Sequence, residues 1–428
     1  MQLKNVIAIS AIAGLASAAN NSTLTTATPD VTSHCSFSDF TATASNQVQS
    51  VAACETAVGD ITIQGTAFGT VELTGLQQLY GSLHVLNATQ ATTVNAPTLQ
   101  LVSGELEFNA NTILSNLNLA QLTTVGSLTL NALPALDNTG LTAGLTSADS
   151  VVISDTGLSS LTGINVYQLK VFNVNNNDNI DTIDSGLREV TDTIDISYNA
   201  EKVDVILNQL TGAKNIVLQS INSFSAPNLT LANGSIAISS SSIEKVEFAE
   251  LTSIGNSLTI NKNEDLTELD FPQLKSIGGA LQVSDNDELK SFAGFPKLQT
   301  IGGSVNINGT FDNGTFESLS RVAGGFILKT DGDLSCSAFN KLNTNGDIKG
   351  DKFQCEDKQT TSSSSSRKSN SDSTDSSDST ETGSNSGSSS TSSGSSSSTS
   401  SRRNGAASNT GKLASVVAGF AAVGVALF

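Results

Sequence analysis

Six side chains in this 428-residue sequence have the types that most often carry chemistry: His34, His84, Cys35, Cys54, Cys336 and Cys355. Neither histidine has a partner at a catalytic spacing. His34 abuts Cys35, and His84 stands between two strand-forming residues on the outward side of the alternation, so both are read as surface residues. Acidic groups are plentiful instead. Forty Asp and Glu against 21 Lys and Arg give a formal charge of −19 and a pI near 4.3. Two oxygen-rich runs, Asn177-Asp178-Asn179-Ile180-Asp181 and Asp285-Asn286-Asp287-Glu288, could ligate calcium or supply a general acid and base. The same residues are also the ordinary vocabulary of Asx turns, and the reading adopted is turns and solubility, with no metal and no cofactor. The negative balance speaks against nucleic acid, whose phosphates require Lys and Arg.

A polysaccharide-cleaving β-helix is the sharpest enzymatic rival, but the paired aspartates and Gly-His-Gly loop of the polygalacturonase type are missing from the sequence. Gly278-Gly279 has the look of a phosphate loop, yet no Lys-Ser/Thr and no helix start follow it.

The elements that must position any site come from a repeat. A short alternating apolar pair recurs every 20 to 24 residues, beginning at Ile61, Leu83, Leu106, Leu128, Val151, Phe172, Ile194, Ile216, Ile236, Leu258, Leu281, Val305 and Phe326, with Ile348 as a fourteenth candidate. Positions below are counted from these anchors. Two residues before them stands Gly, Asn or Asp in most units, read as a left-handed turn, with Lys170 and Lys214 as exceptions. Pro97, Pro227, Pro272 and Pro296 fall nine residues before an anchor. Asn109, Asn131, Asn175, Asn261 and their Ser or Gln equivalents fall three after, where a polar ladder is expected to satisfy backbone groups. Pairs such as Leu251/Ile254 and Leu274/Ile277 supply the other inward side chains.

One strand per coil with coils stacked in parallel fits this period; propeller blades and helical hairpin repeats are longer. Return legs rich in Thr, Ser and Gly favour a mainly β, right-handed parallel β-helix-like solenoid over a leucine-rich-repeat horseshoe with helices. Such an array needs capped ends. Cys35 and Cys54 precede the first anchor, and Cys336 and Cys355 flank the last. At ~4.8 Å per rung, thirteen rungs separate the two pairs by roughly 55–60 Å, far beyond the ~7 Å that a disulfide allows between Cα atoms. The pairing Cys35–Cys54 and Cys336–Cys355 follows.

The ends carry processing signals. Residues 1–18 read as a secretory leader closing on Ala16-Ser17-Ala18, and 19–34 as a linker. Residues 35–357 hold the capped array of about 13–14 coils. In 361–401, 30 of 41 residues are Ser or Thr and none is apolar, so no core can offset the entropy of ordering them. The segment 358–403 reads as a disordered, O-glycosylated stalk. Residues 404–428 have the order of a glycosylphosphatidylinositol (GPI) signal: small residues at Asn404 or Gly405 for attachment, a polar spacer, then an apolar tail. Sequons at Asn21 (overlapping one at Asn20), Asn87, Asn228, Asn233, Asn308 and Asn313 are expected N-glycan sites.

The repeats IGNSLTI, IGGALQV and IGGSVNI, the segment KLNTNGDIKGDKFQCEDK and the Ser-rich stalk together resemble the fungal GPI-anchored cell-wall proteins of the extracellular-mutant and sporulation-specific type. The resemblance covers nearly the whole chain. It implies a solenoid similar to the L domains of insulin- and growth-factor-type receptors, and a non-enzymatic role in cell-wall integrity and in organising the outer mannoprotein layer. It also implies a cell-surface location, on the plasma membrane through the GPI lipid or linked to the wall, with cell-wall glucan or mannoproteins as partners. In pathogenic yeasts it extends to hyphal growth and host-surface contacts. No catalytic residue is implied. Arg402-Arg403 resembles the dibasic signal for membrane retention. The alternative is a receptor-like or adhesive module that recognises a glycan or protein on one solenoid face.

Overall fold

A computed structural model describes residues 27–358. The leader, Asn21, the Ser/Thr-rich stalk, Arg402-Arg403, Asn404 and Gly405 lie outside the described residues. Within them the chain winds into a β-solenoid of about 13 turns. Every anchor from Ile61 to Phe326 sits opposite the next in one parallel ladder, as Ile61↔Leu83, Leu128↔Val151, Ile216↔Ile236 and Val305↔Phe326 show. Two further columns of short strands complete each coil. One contains Ser253–Ile254, Ser276–Ile277 and Thr300–Ile301, stacked in register. The other is broken into three small parallel sheets, among them Thr182–Asp184 with Asp204–Ile206 and Ser223–Ser225. The return legs therefore carry strands, and α-helix among the described residues is confined to α1 (Ser45–Ala52) and α2 (Ser337–Thr344).

The coil geometry follows from its residues. Anchor and anchor-plus-two side chains alternate inward, so Leu258, Ile260, Leu281 and Val283 are fully buried. Leu251, Ile254, Leu274 and Ile277, from the preceding leg of each coil, are buried with them. The prolines of the coils take the second place of a β-turn, as in Leu274 N–H donating to Phe271 O (3.3 Å) across Pro272. Phe precedes Pro272 and Pro296, and Phe271 and Phe295 stack with Phe248 of the coil before, ring centroids 5.3 and 4.8 Å apart along the series.

The caps are built as chemistry requires. Cys35–Cys54 and Cys336–Cys355 are bonded, with Cα atoms 5.7 and 5.8 Å apart. An additional rung, Phe40–Ala42, lies before Ile61 inside the first cap. Gln47 Oε1 accepts from the amides of Thr43 and Ala44 and starts α1.

Three expectations are corrected. Ile348 is not the fourteenth anchor: it bridges Val322, and Phe353 takes the place opposite Phe326. The helix α2 lengthens that coil and shifts the phase. The glycines two residues before anchors mostly lack a positive φ. They are required because coils touch there: a Cβ on Gly279 would lie 2.7 Å from Ser257 Oγ and 2.9 Å from Asn256 C, and one on Gly303 2.7 Å from Gly279 C. The left-handed corner stands instead four residues after the anchor, from Asn87 (φ 51°) through Tyr198 (52°) and Lys262 (56°) to Asp285 (57°).

The third correction concerns the polar ladder. Side chains three after the anchors bond mainly to one another, as Asn131 Nδ2 does to Asn109 Oδ1 (3.1 Å). The backbone is satisfied from two residues further on, by buried Asn111, Asn177, Asn199, Asn263 and Asn286. Asn263 Oδ1 accepts from Ser241 N (3.2 Å), while its Nδ2 donates to Ile238 O (3.1 Å) and Asn286 Oδ1 (3.1 Å). A left-handed non-Gly residue costs ~1–2 kcal/mol; the ladder immediately after it fixes the corner against that cost.

Candidate functional site

The main sheet presents its outer face through the positions one before, one after and three after each anchor, because the intervening residues point inward. On the eight rungs from Leu128 to Leu281 these outward positions hold Ser, Thr, Asn, Gln, Val and Ala; Asp195 is the single charged residue. Most are half-buried by their stacked neighbours. Hydrogen bonds run along the stack, as Ser154 Oγ to Asn175 Oδ1 (2.5 Å) and Gln219 Nε2 to Ser239 Oγ (3.2 Å).

Charge gathers at the ends of this face. At one end His84 Nδ1 lies 2.8 Å from Glu107 Oε2, Asn109 Nδ2 donates to Glu107 Oε1 (3.0 Å), and Thr129 Oγ1 donates to Glu105 Oε1 (2.8 Å). At the other, Lys329 Nζ meets Glu356 Oε2 at 3.2 Å, and the Gln354 amide with this lysine holds the Glu356 carboxyl below its usual range. Charges also line the edge: the unexpected Lys170 and Lys214 pair with Asp149 and Asp192 of the preceding rung, each at 2.7 Å. His84 is thus a sheet residue in hydrogen-bond contact with Glu107, while His34 remains exposed, its Nε2 3.4 Å from Thr32 Oγ1.

Other faces of the coil tolerate charge readily. Lys245 Nζ contacts Glu268, Glu247 and Asp270 at 3.0, 3.1 and 3.2 Å, and these carboxylates raise its pKa above the ordinary lysine range. Asp204 accepts from Asn222 Nδ2 (2.8 Å) and Ser223 Oγ (2.5 Å), which lower its pKa.

The acidic runs are turns. Asn177, which opens the first, and Asn286, inside the second, are buried ladder residues. Among the described residues, ligand atoms of three or more His, Cys, Asp or Glu converge within 4.8 Å in two places, His84/Glu105/Glu107 and His34/Cys35/Cys54, and in the second the sulfurs are already bonded to each other. Asn87, Asn228, Asn233, Asn308 and Asn313 are all exposed. Asn308 sits on the outer face of the next rung, that of Val305, whose Ser304 and Asn306 are likewise neutral; Asn233 stands three residues before the anchor Ile236 at the edge of the eight rungs, and Asn87 lies before their other end.

Along these eight rungs the face is a regular array of amide and hydroxyl groups. None of its residues is His or Cys, so no motif marks it in the sequence. The signal was present: tabulating alternate positions around each anchor exposes a run without Lys, Arg or Glu.

No protein-family model matches the chain, and no solved structure matches it. Curated proteins do. A cell-surface GPI-anchored protein of Candida albicans, ECM33, is 38% identical over 339 residues, which is 78% of this chain and 82% of the relative. The cell wall mannoprotein PST1 of Saccharomyces cerevisiae is 35% identical over 312 residues, 72% of this chain and 70% of the relative. Sporulation-specific protein 2 of the same yeast is 25% identical over 316 residues, 73% of this chain and 63% of its own length. With identity of this level spread over the solenoid, the chain belongs to the fungal family of GPI-anchored cell-wall proteins that includes ECM33, PST1 and sporulation-specific protein 2.

Proposed function

We propose that this chain is a non-enzymatic, GPI-anchored cell-surface glycoprotein that maintains cell-wall integrity and the order of the outer mannoprotein layer. The observation that carries the reading is an uninterrupted array closed at both ends by disulfide-bonded caps, in a chain whose relatives are named for the cell surface and cell wall and not for a reaction. In this reading the Ser/Thr-rich segment 358–403 lifts the solenoid off the membrane, Asn404 or Gly405 receives the lipid, and exposed Asn87, Asn228, Asn233, Asn308 and Asn313 carry glycans. Its partners are cell-wall glucan or mannoproteins, with host-surface contacts where the cell is a pathogen.

Deletion of residues 404–428 tests it. The protein is then expected in the medium, and the cells are expected to show the same sensitivity to wall-binding dyes as cells lacking the gene. Dye sensitivity that stays at the wild-type level despite full release would overturn the reading.

A further inference from the structure

We infer that the uncharged outer face of the main sheet, from the rung of Leu128 to that of Leu281, is a binding surface for a neutral cell-wall polysaccharide. The inference rests on the wall-protein reading above and names the partner and the face. Three outward positions on each of eight rungs give twenty-four places, and 23 of them are neutral in a chain with 40 acidic and 21 basic residues. Rung spacing and residue rise make the strip about 34 Å long and 13 Å wide.

Stacking alone does not explain this neutrality. Like charges directly opposite one another in a ladder repel, yet the same solenoid manages charge elsewhere by pairing. Lys245 sits among three carboxylates on the small sheet formed by Lys245–Glu247 and Glu268–Asp270. Lys170 and Lys214 neutralise Asp149 and Asp192 at the very edge of the strip. Charge is therefore compatible with the coil and is kept off this face.

The side chains select the partner's chemistry. Thr129, Asn173, Gln219, Thr259 and Gln282 present both donors and acceptors, the complement of a hydroxyl-rich chain. Covering these five desolvates no ion, a step that is costly without a partner charge, and the one carboxylate of the strip, Asp195, already accepts from Ser197 Oγ. An anionic polymer or membrane would require Lys or Arg here. A protein partner, including a second copy, fits poorly, since interface cores are enriched in aromatic residues, Met and Arg and depleted of Ser and Ala. None of the twenty-four positions is itself a sequon asparagine, but exposed Asn233 stands two residues from Ser235 at the edge of the strip and Asn308 on the next rung, so N-glycans there would border the face and are removed for the test.

The test uses the purified full chain after enzymatic removal of N-glycans, sedimented with insoluble wall glucan or captured on neutral mannan at low and high salt. Binding to at least one polymer, little changed by salt, is expected. Thr259→Glu and Thr259→Lys should each weaken it at least tenfold, while Gln273→Glu and Gln299→Glu, on another side of the coil, should leave it within twofold. The two signs separate partner classes, because a charged partner would gain from one and lose from the other. Thermal melting of each variant confirms folding, and Gln219→Ala serves as a milder probe if a charge unfolds the rung. Opposite effects of the two signs, binding indifferent to both, absence of binding to either polymer, or self-association that disappears with Thr259→Glu would each overturn the inference. Failure here with an intact anchor-deletion phenotype removes the binding face and leaves the wall-protein reading standing.

Discussion

Single residues set the shape of the corner. Each coil leaves the main strand through a left-handed residue, and in Tyr198 and Lys262 that residue has a side chain which disfavours the conformation. The buried asparagine that follows holds the turn from both sides: Asn263 accepts from Ser241 N and donates to Ile238 O of the preceding coil, and donates to the side-chain Oδ1 of Asn286 in the next. Asn263→Ala removes three hydrogen bonds and strands the Ser241 amide and Ile238 carbonyl in the interior. A stability loss of about 2–4 kcal/mol is expected in urea unfolding; a loss below 0.5 kcal/mol would show that the ladder is dispensable. Ser147 is the opposite case. It is 7% exposed, and its Oγ is buried without a hydrogen-bond partner beside Thr124, which it bridges. Ser147→Ala should raise stability by about 1 kcal/mol, since the unmet desolvation of the hydroxyl is relieved. Destabilisation by the same change would mean the hydroxyl is satisfied.

At the scale of the element, lateral ties between coils respond to pH. Asp204, on the strand Asp204–Ile206, accepts from Asn222 and Ser223 at the next coil, and its folded pKa lies below the unfolded value. A depressed carboxylate contributes stability above its unfolded pKa and loses it as pH falls through the folded one. Asp204→Asn should therefore lower Tm near neutral pH, with the gap to wild type closing toward pH 2–3. A gap that is constant with pH would contradict this. The elements also show what the sequence made legible. Thirteen anchors were readable because an inward strand pair needs two apolar residues at a spacing that the coil circumference fixes, and register then followed. The corner was misplaced because residues as unlike as Ala110, Tyr198 and Lys262 occupy it, so no residue type marks it. Glycines were assigned to turns when the reason for them is contact between coils. Ile348 matched the period by accident, since α2 inserts residues that only a structure reveals. The candidate face left no motif, being defined by what is kept away from it.

For the whole molecule, the distribution of charge matters more than its total. A surplus of acidic residues keeps the surface soluble and repels other acidic chains, while one flank is held neutral between a His84–Glu107 pair and a Lys329–Glu356 pair. Two cystine caps close the array, so the face is presented by a stack whose ends do not recruit further strands. The central claim is that the wall function works through that face. The direct measurement is rescue of dye resistance in cells lacking the gene, using the full chain carrying Thr259→Glu or Gln299→Glu at matched surface abundance. The account predicts that Gln299→Glu restores resistance and Thr259→Glu does not; equal rescue by both would contradict it.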